Sequence, residues 1–318
     1  MTSPIKHTIQ VPSEYKDKRI DQALALLLPD YSRSRLKTWL DNGQISVNGK
    51  HWRPKDKVQG NETVVIDAKL EETLTDKPEN IPLNIVYEDD DILVINKAIG
   101  MVVHPAVGNR NNTLLNALLH QVPSLAKLPR AGIIHRLDKG TSGLLVIAKT
   151  LKACTFLINE LKEHKILREY EAIVLGSMIS GGTVNAPIGR HPTKRTLMAI
   201  VENGKSATTH YRIIERFRAH THLKVQLETG RTHQIRIHMT HIQHPIVGDS
   251  TYGGRIKLPK GASAELIETL RQFKHPALHA RRLTLTHPSK LESMTFNADT
   301  PIDFQNLASM LHIDTQEH

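Results

Sequence analysis

The sequence predicts an α+β protein in two domains, and three observations carry that prediction. Helical spacing followed by a hairpin signal occupies residues 14–67. A polar, acidic stretch with two prolines interrupts the apolar patterning over 68–82. Strand-like and helical runs then follow one another over 83–305. With 318 residues and 39% hydrophobic content, the chain is long enough for two domains or one large one and can supply a core.

In the first domain, Ile20, Leu24, Leu27 and Leu28 follow helical spacing until Pro29 ends the run. Ser32 is placed to N-cap a second helix with Leu36, Trp39 and Leu40 on one face, and Asn42-Gly43 supplies its stop. Ile45 and Val47 alternate as a strand, and Asn48-Gly49 is a hairpin turn signal. Residues 14–57 hold ten Lys/Arg against six Asp/Glu, so this unit is basic. Arg33, Arg35 and Lys37 fall on the first turns of the second helix, where outward backbone N–H groups also suit a phosphate. The competing reading of these cations is a solvated basic face. Between residues 67 and 91 the balance inverts to nine acids against Lys69 and Lys77, which reads as a linker that a polyanion avoids.

In the larger domain, Ile85-Val86-Tyr87 and Ile92-Leu93-Val94-Ile95 flank the acidic turn Asp89-Asp90-Asp91 as a hairpin. A short amphipathic helix spans residues 113–119. The glycine-bounded apolar run Leu144-Leu145-Val146-Ile147-Ala148 reads as a buried strand, so the polar residues 132–143 before it form a loop feeding that strand. Leu151, Cys154, Leu157, Ile158 and Leu161 mark a helix, with Cys154 a small core residue. Further strands are expected over 168–175, 211–214, 223–227 and 278–285, and the tail over 306–318 reads as a short helix.

The net charge of +10, with 19 histidines besides, points to a polyanionic partner, nucleic acid first, or else to a basic surface kept for solubility. Much of the excess sits in residues 186–240, which hold ten Lys/Arg against three acids. There Arg190, Lys194 and Arg195 belong to a proline-broken loop suited to backbone phosphates. A single cysteine excludes a disulfide framework and a Cys-based zinc site within one chain, and fits a reducing cytoplasm. The start of the chain lacks the apolar core of a signal peptide, and no run approaches a membrane span.

The strand-feeding loop holds the candidate chemistry. Asp138 lies between Arg136 and Lys139, which favours its carboxylate as a nucleophile or anionic stabiliser, although the same residues fit a structural ion pair capping a turn. His135-Arg136-Leu137-Asp138-Lys139-Gly140-Thr141-Ser142-Gly143 resembles the signature loop of the RluA family of pseudouridine synthases. Asn96-Lys97 with residues 100–105, Arg168-Glu169-Tyr170, and residues 229–238 resemble further segments of that family, although Ala98 stands where it usually has proline. Residues 32–37 and Val47-Asn48-Gly49 resemble the S4 RNA-binding domain.

The resemblance implies an S4 domain over 14–67 and, over 83–305, a mixed α/β catalytic domain on a largely antiparallel sheet. It implies Asp138 as the essential catalytic residue, Arg236 as its partner, and Tyr170 as the tyrosine that stacks on uracil and takes up the C5 proton. Arg136 would fill the space of a flipped base, and Ile235 would contact the substrate. Residues 32–35, 191–195 and 259–263 resemble members acting on large-subunit rRNA, which implies uridines in the helix 69 stem-loop of 23S rRNA, free or in a large-subunit precursor. Gly140 departs from the acidic residue common there. No cofactor, metal or membrane is expected, and the protein is expected to be a cytoplasmic monomer. Three alternatives stay open: a metal site from His233, His238, His241 and His244, which Arg231 and Arg236 oppose; a non-catalytic S4-type rRNA-binding assembly factor; and a synthase of the same family acting on other large-subunit uridines.

Overall fold

A computed structural model describes residues 4–29, 31, 33–69, 76–106, 109–194 and 196–317. The expected N-cap Ser32 and the basic Arg195 lie outside the described residues.

The N-terminal unit contains β1 (Pro4–Gln10), α1 (Ile20–Leu27), α2 (Arg33–Asp41), β2 (Ile45–Val47), β3 (Lys50–His51) and β4 (Thr63–Lys69). Leu36, Trp39 and Leu40 pack with Ile20, Leu24, Ile45 and Ile66 in one core, as their spacing requires. Asn48 and Gly49 both take left-handed backbone angles, φ 50° and 70°, the geometry that lets a two-residue turn match the twist of β2 and β3. The strands run in the order β1-β4-β2-β3. The 14–67 boundary therefore needs correction. β1 pairs along the whole of β4, from Pro4 opposite Lys69 to Gln10 opposite Thr63, and Ala68 is buried. An edge strand is held by backbone bonds, and with only Ile5 and Ile9 as large apolar residues β1 carries little pattern.

The larger domain contains β5 (Ile85–Glu88), β6 (Ile92–Lys97), α3 (Leu114–Gln121), β7 (Ser142–Ala148), α4 (Leu151–Lys162), β8 (Leu167–Leu175), β9 (Gly182–Asn185), β10 (Ile188–Arg190) and β11 (Met198–Ile200). It continues with β12 (Thr208–Arg216), β13 (His220–Leu227), α5 (Gln234–His241), α6 (Ala264–Gln272), β14 (Leu278–Thr286), β15 (Ser293–Asn297) and α7 (Ile302–Gln316). Nine strands form one sheet in the order β5-β6-β7-β14-β8-β13-β12-β9, with β15 beside β14. The β7–β14 contact is parallel and the other described pairings in this sheet are antiparallel, so the expected largely antiparallel sheet is what forms.

The central strands are covered on both faces. Leu93, Ile95, Leu145 and Ile147 enter the core shared with α3, α6 and α7, while Ile92, Val94, Leu144, Val146 and Ala148 enter the core beneath α4. A strand buried on both faces reads as an unbroken apolar run, which is why β7 was legible. The 306–318 tail is corrected by the same packing. Phe304, Leu307 and Leu311 of α7 belong to the large core, and Arg218 donates to both Asp314 oxygens at 2.7 and 3.1 Å. The helix is an integral part of the domain that a boundary at residue 305 would cut.

The junction of β7 with β14 fixes where the loop over 132–141 ends. Ser142 and Gly143 stand opposite His279 and Ala280. The Ser142 hydroxyl donates to His279 Nδ1 at 2.8 Å, and His279 Nε2 donates to the Ala298 carbonyl at 3.0 Å. Gly143 has φ 112°, and a Cβ there would lie 2.3 Å from the Ala280 oxygen. Gly143→Ala is therefore expected to cost on the order of 2–3 kcal/mol in urea unfolding. A loss under about 0.5 kcal/mol would mean that the strand contact is not under this constraint.

His220, at the start of β13, is buried with neither ring nitrogen bonded, and burial pushes its pKa down to about 4 against the pull of Asp314. The unfolded histidine, near 6.5, binds a proton first as pH falls, so this group removes stability between about pH 6.5 and 4. His220→Leu is expected to flatten the pH dependence of unfolding in that window, and an unchanged slope would assign it to other groups.

Candidate active site

The chain enters the candidate loop through a tight turn, Pro129–Gly132, in which Arg130, Ala131 and Gly132 have φ of 54°, 52° and 73°. This reversal lays Ile133 against Ile147 of β7. The Val146 N–H then donates to His135 Nε2 at 3.1 Å. Burial, helped by Arg168, pushes the His135 pKa down to about 3, so the ring stays the neutral acceptor that this bond needs. Further along, the Thr141 N–H donates to the Asp138 carbonyl and the Gly100 N–H to the Lys139 carbonyl. Asp138 is thus held at a cleft of about 570 Å³ between this loop and residues 227–236. A Cβ on Gly140 would sit 2.9 Å from Pro276, so a larger residue there would require Pro276 to move.

The opposite wall is built by the sequence Thr229-Gly230-Arg231-Thr232-His233-Gln234. Buried Gln234 accepts from Thr229 Oγ1 and the Arg231 N–H, and donates to the Thr208 carbonyl and Thr209 Oγ1 on β12. His233 takes a left-handed conformation, φ 58°, just before α5. The helix then carries Arg236 inward. Its Nε and Nη2 donate to the two oxygens of Asp249 at 2.7 and 2.8 Å, while Nη1 reaches Asp138 Oδ2 at 3.3 Å. Asp249 is itself buried and accepts from the Thr251 and Tyr252 N–H groups. Burial works against the charge of Arg236, and Asp249, followed by Asp138, more than offsets it.

The short, two-pronged bond to Asp249 orients the guanidinium, and the longer one leaves Asp138 available. The Tyr252 ring lies 4.9 Å from the guanidinium carbon, and the Tyr252 hydroxyl bonds His233 Nδ1 at 2.7 Å. His233 Nε2 approaches Asp138 Oδ1 at 3.8 Å, and burial lowers the His233 pKa. Lys97, fully buried at the end of β6, donates to the carbonyls of Ala98 and Met101, with its pKa down to about 8 through burial against the pull of Asp138.

Tyr170 and Ile235 are buried and line the cleft, and Arg136 is exposed at its mouth with no ion pair among the described residues. Burial raises the Tyr170 pKa, which keeps the phenol neutral. The structure therefore brings together Asp138, Tyr170, Arg236, Arg136 and Ile235. Sequence reasoning missed Arg168 and the structural parts played by Asp249, Gln234, Tyr252 and Lys97. Asp249 had one local signal, the turn at Gly248, with φ 75°.

The remaining basic residues lie elsewhere. Arg33 is exposed and donates to buried Asp21 at 2.8 and 3.0 Å. Arg35 is half-buried, whereas Lys37, Arg190 and Lys194 are exposed. The four histidines do not converge. His238 bonds Thr209 and the Ala186 carbonyl, His244 bonds the Leu175 carbonyl, and His233 faces Tyr252. Among the described residues no three His, Cys, Asp or Glu side chains are placed to share a metal ion. No described helix is long and apolar enough to cross a membrane.

Comparison with known proteins agrees with this architecture. Residues 91–241 match the RNA pseudouridylate synthase family and residues 18–64 the S4 domain. The chain is 54% identical over 319 residues to ribosomal large subunit pseudouridine synthase D of Salmonella typhimurium, covering 100% of this chain and 98% of that one. It is 57% identical over 302 residues to the protein of the same name in Pasteurella multocida, covering 95% and 93%. Among solved structures, human RNA pseudouridylate synthase domain containing 4 superposes with a TM-score of 0.57 at 25% identity, over 72% of this chain and 93% of that one. With an S4 domain ahead of the catalytic sheet and relatives matching from end to end, the chain belongs to the RNA pseudouridylate synthase family.

Proposed function

We propose that this pseudouridine synthase acts on 23S rRNA, at uridines of the helix 69 stem-loop, with Asp138 as the reacting group. The observation that carries the reading is the division of Arg236 between two carboxylates. Asp249 holds two of its nitrogens tightly, and Asp138 receives the third at 3.3 Å in an open cleft. The fixed cation orients the Asp138 carboxyl group, and one loose bond leaves its oxygens able to react. The full-length relatives named for the large ribosomal subunit support the choice of RNA.

The reaction breaks the N1–C1′ bond of uridine, turns the uracil, forms a C5–C1′ bond, and moves the C5 proton off as N1 gains one. The target base must first leave its stack. Exposed Arg136 is free to enter the vacated space. Asp138 then attacks C1′, or removes the C2′ proton to give a glycal-like intermediate; both routes need the same carboxylate. Tyr170, which lines the same cleft as Asp138, stacks on the uracil. Its raised pKa favours the neutral phenol, which takes up the C5 proton only as it passes its own to solvent, while N1 takes a proton from solvent in exchange. Uracil is donor and acceptor within one nucleotide, so the reaction calls for no redox carrier or group donor. The protein acts as a cytoplasmic monomer on free rRNA or an assembling subunit.

Asp138→Asn is the direct test, because it keeps the side-chain volume and removes the charge. It is expected to abolish pseudouridine in a large-subunit rRNA fragment, mapped by carbodiimide-dependent reverse-transcription stops, while RNA binding persists. An active Asn variant would take Asp138 out of the mechanism, and stops outside helix 69 would move the target.

A further inference from the structure

Besides Tyr170, the cleft is lined by a cation that the proposed chemistry does not use, Arg168. Arg168 lies two residues before Tyr170 on β8, on the same face and about 7 Å along the strand. It is 8% exposed and lines the cleft. Its Nη2 donates to the Glu228 carbonyl at 3.2 Å, and its Nε is enclosed with no acceptor among the described residues. Among the described residues no carboxylate comes within ion-pair distance, and the Glu228 side chain is taken by His210 at 2.6 Å. The contrast with the other buried cations is direct, because Arg236 meets two carboxylates and Lys97 two carbonyls.

A guanidinium buried without a counter-charge destabilises the fold unless a ligand supplies one. Lys162, His164 and Arg231 also line the cleft, and His164 Nδ1 meets the same Glu228 carbonyl at 2.6 Å. A uracil carbonyl would bring this cluster no charge, whereas a phosphodiester supplies the one negative charge that Arg168 lacks and fits a guanidinium in two-pronged fashion. The neighbouring backbone keeps space for this. A Cβ at Gly230 would lie 2.6 Å from Arg168 Nη1, so any larger residue would push the guanidinium aside.

We propose that Arg168, kept open by Gly230, binds the phosphodiester of a nucleotide flanking the extruded uridine, anchoring the RNA backbone while Tyr170 and Asp138 take the base and sugar. This subsite rests on reading the cleft as the uridine site.

The test uses the full chain and a stem-loop of large-subunit rRNA, with single methylphosphonate linkages walked across the nucleotides around the target. Arg168→Met is expected to weaken binding about 10- to 100-fold, the loss of one charge-assisted contact, and to lower the salt slope by about 0.7. One methylphosphonate linkage should produce the same loss with the wild-type protein and no further loss with Arg168→Met. Arg168→Lys should recover part of the affinity. Gly230→Ala should imitate Arg168→Met with an unchanged unfolding midpoint, which keeps the test available if Arg168→Met folds poorly. If every linkage weakens both proteins by equal factors, or if Arg168→Met binds RNA normally and loses only turnover, Arg168 holds no phosphate and the proposal fails. Absence of pseudouridine with the wild-type protein would instead overturn the uridine-site reading, which this binding comparison does not depend on.

Discussion

The interaction on which the site depends is the grip of Asp249 on Arg236. A guanidinium has a planar fork of donors, and here two of its nitrogens are locked to one buried carboxylate while the third reaches the next. Asp249 is in turn fixed by two backbone N–H groups following it. The charge facing Asp138 is therefore positioned before any substrate arrives, so its placement does not rely on the single longer bond to Asp138.

The sheet provides the rigidity that this arrangement needs. Asp138 stands a few residues before β7, whose seven residues are all buried, and β7 is pinned to β14 through Gly143 and the Ser142–His279 bond. His135 fastens the loop from the other side as a neutral acceptor. Arg236 rides on α5, a short helix tied to β12 by Gln234 and His238. The two halves of the site are thus carried by two parts of one sheet, with β14, β8 and β13 between β7 and β12, and the cleft lies between them.

Much of this was legible in the sequence where local pattern and local structure coincide. The apolar run of β7, the Asn48-Gly49 turn and the spacing of Leu36, Trp39 and Leu40 each encode their structure within a few residues. The motif around Asp138 and that around Arg236 were legible as chemistry only through family resemblance, since an Asp between cations also describes an ion pair. What was hidden depends on partners distant in sequence. β1 is defined by pairing with β4 some sixty residues on, and α7 by a core it reaches only in three dimensions. Asp249 had appeared only as an acid near the histidines, and Arg168 only as part of a motif. Neither pattern shows that one is satisfied by Arg236 while the other meets no carboxylate among the described residues.

Under the proposed function, the basic N-terminal unit adds charge-dependent affinity for RNA and the cleft carries the chemistry. The central claim concerns the second, that Asp249 sets Arg236 and Arg236 sets Asp138. The measurement that bears on it most directly is the single-turnover rate of pseudouridine formation by Asp249→Asn, with RNA affinity measured alongside. The expected result is a rate at least about tenfold lower, the loss of a charge-assisted contact, with affinity unchanged. A rate equal to that of the wild-type protein would contradict the account, because Arg236 would then be placed without Asp249.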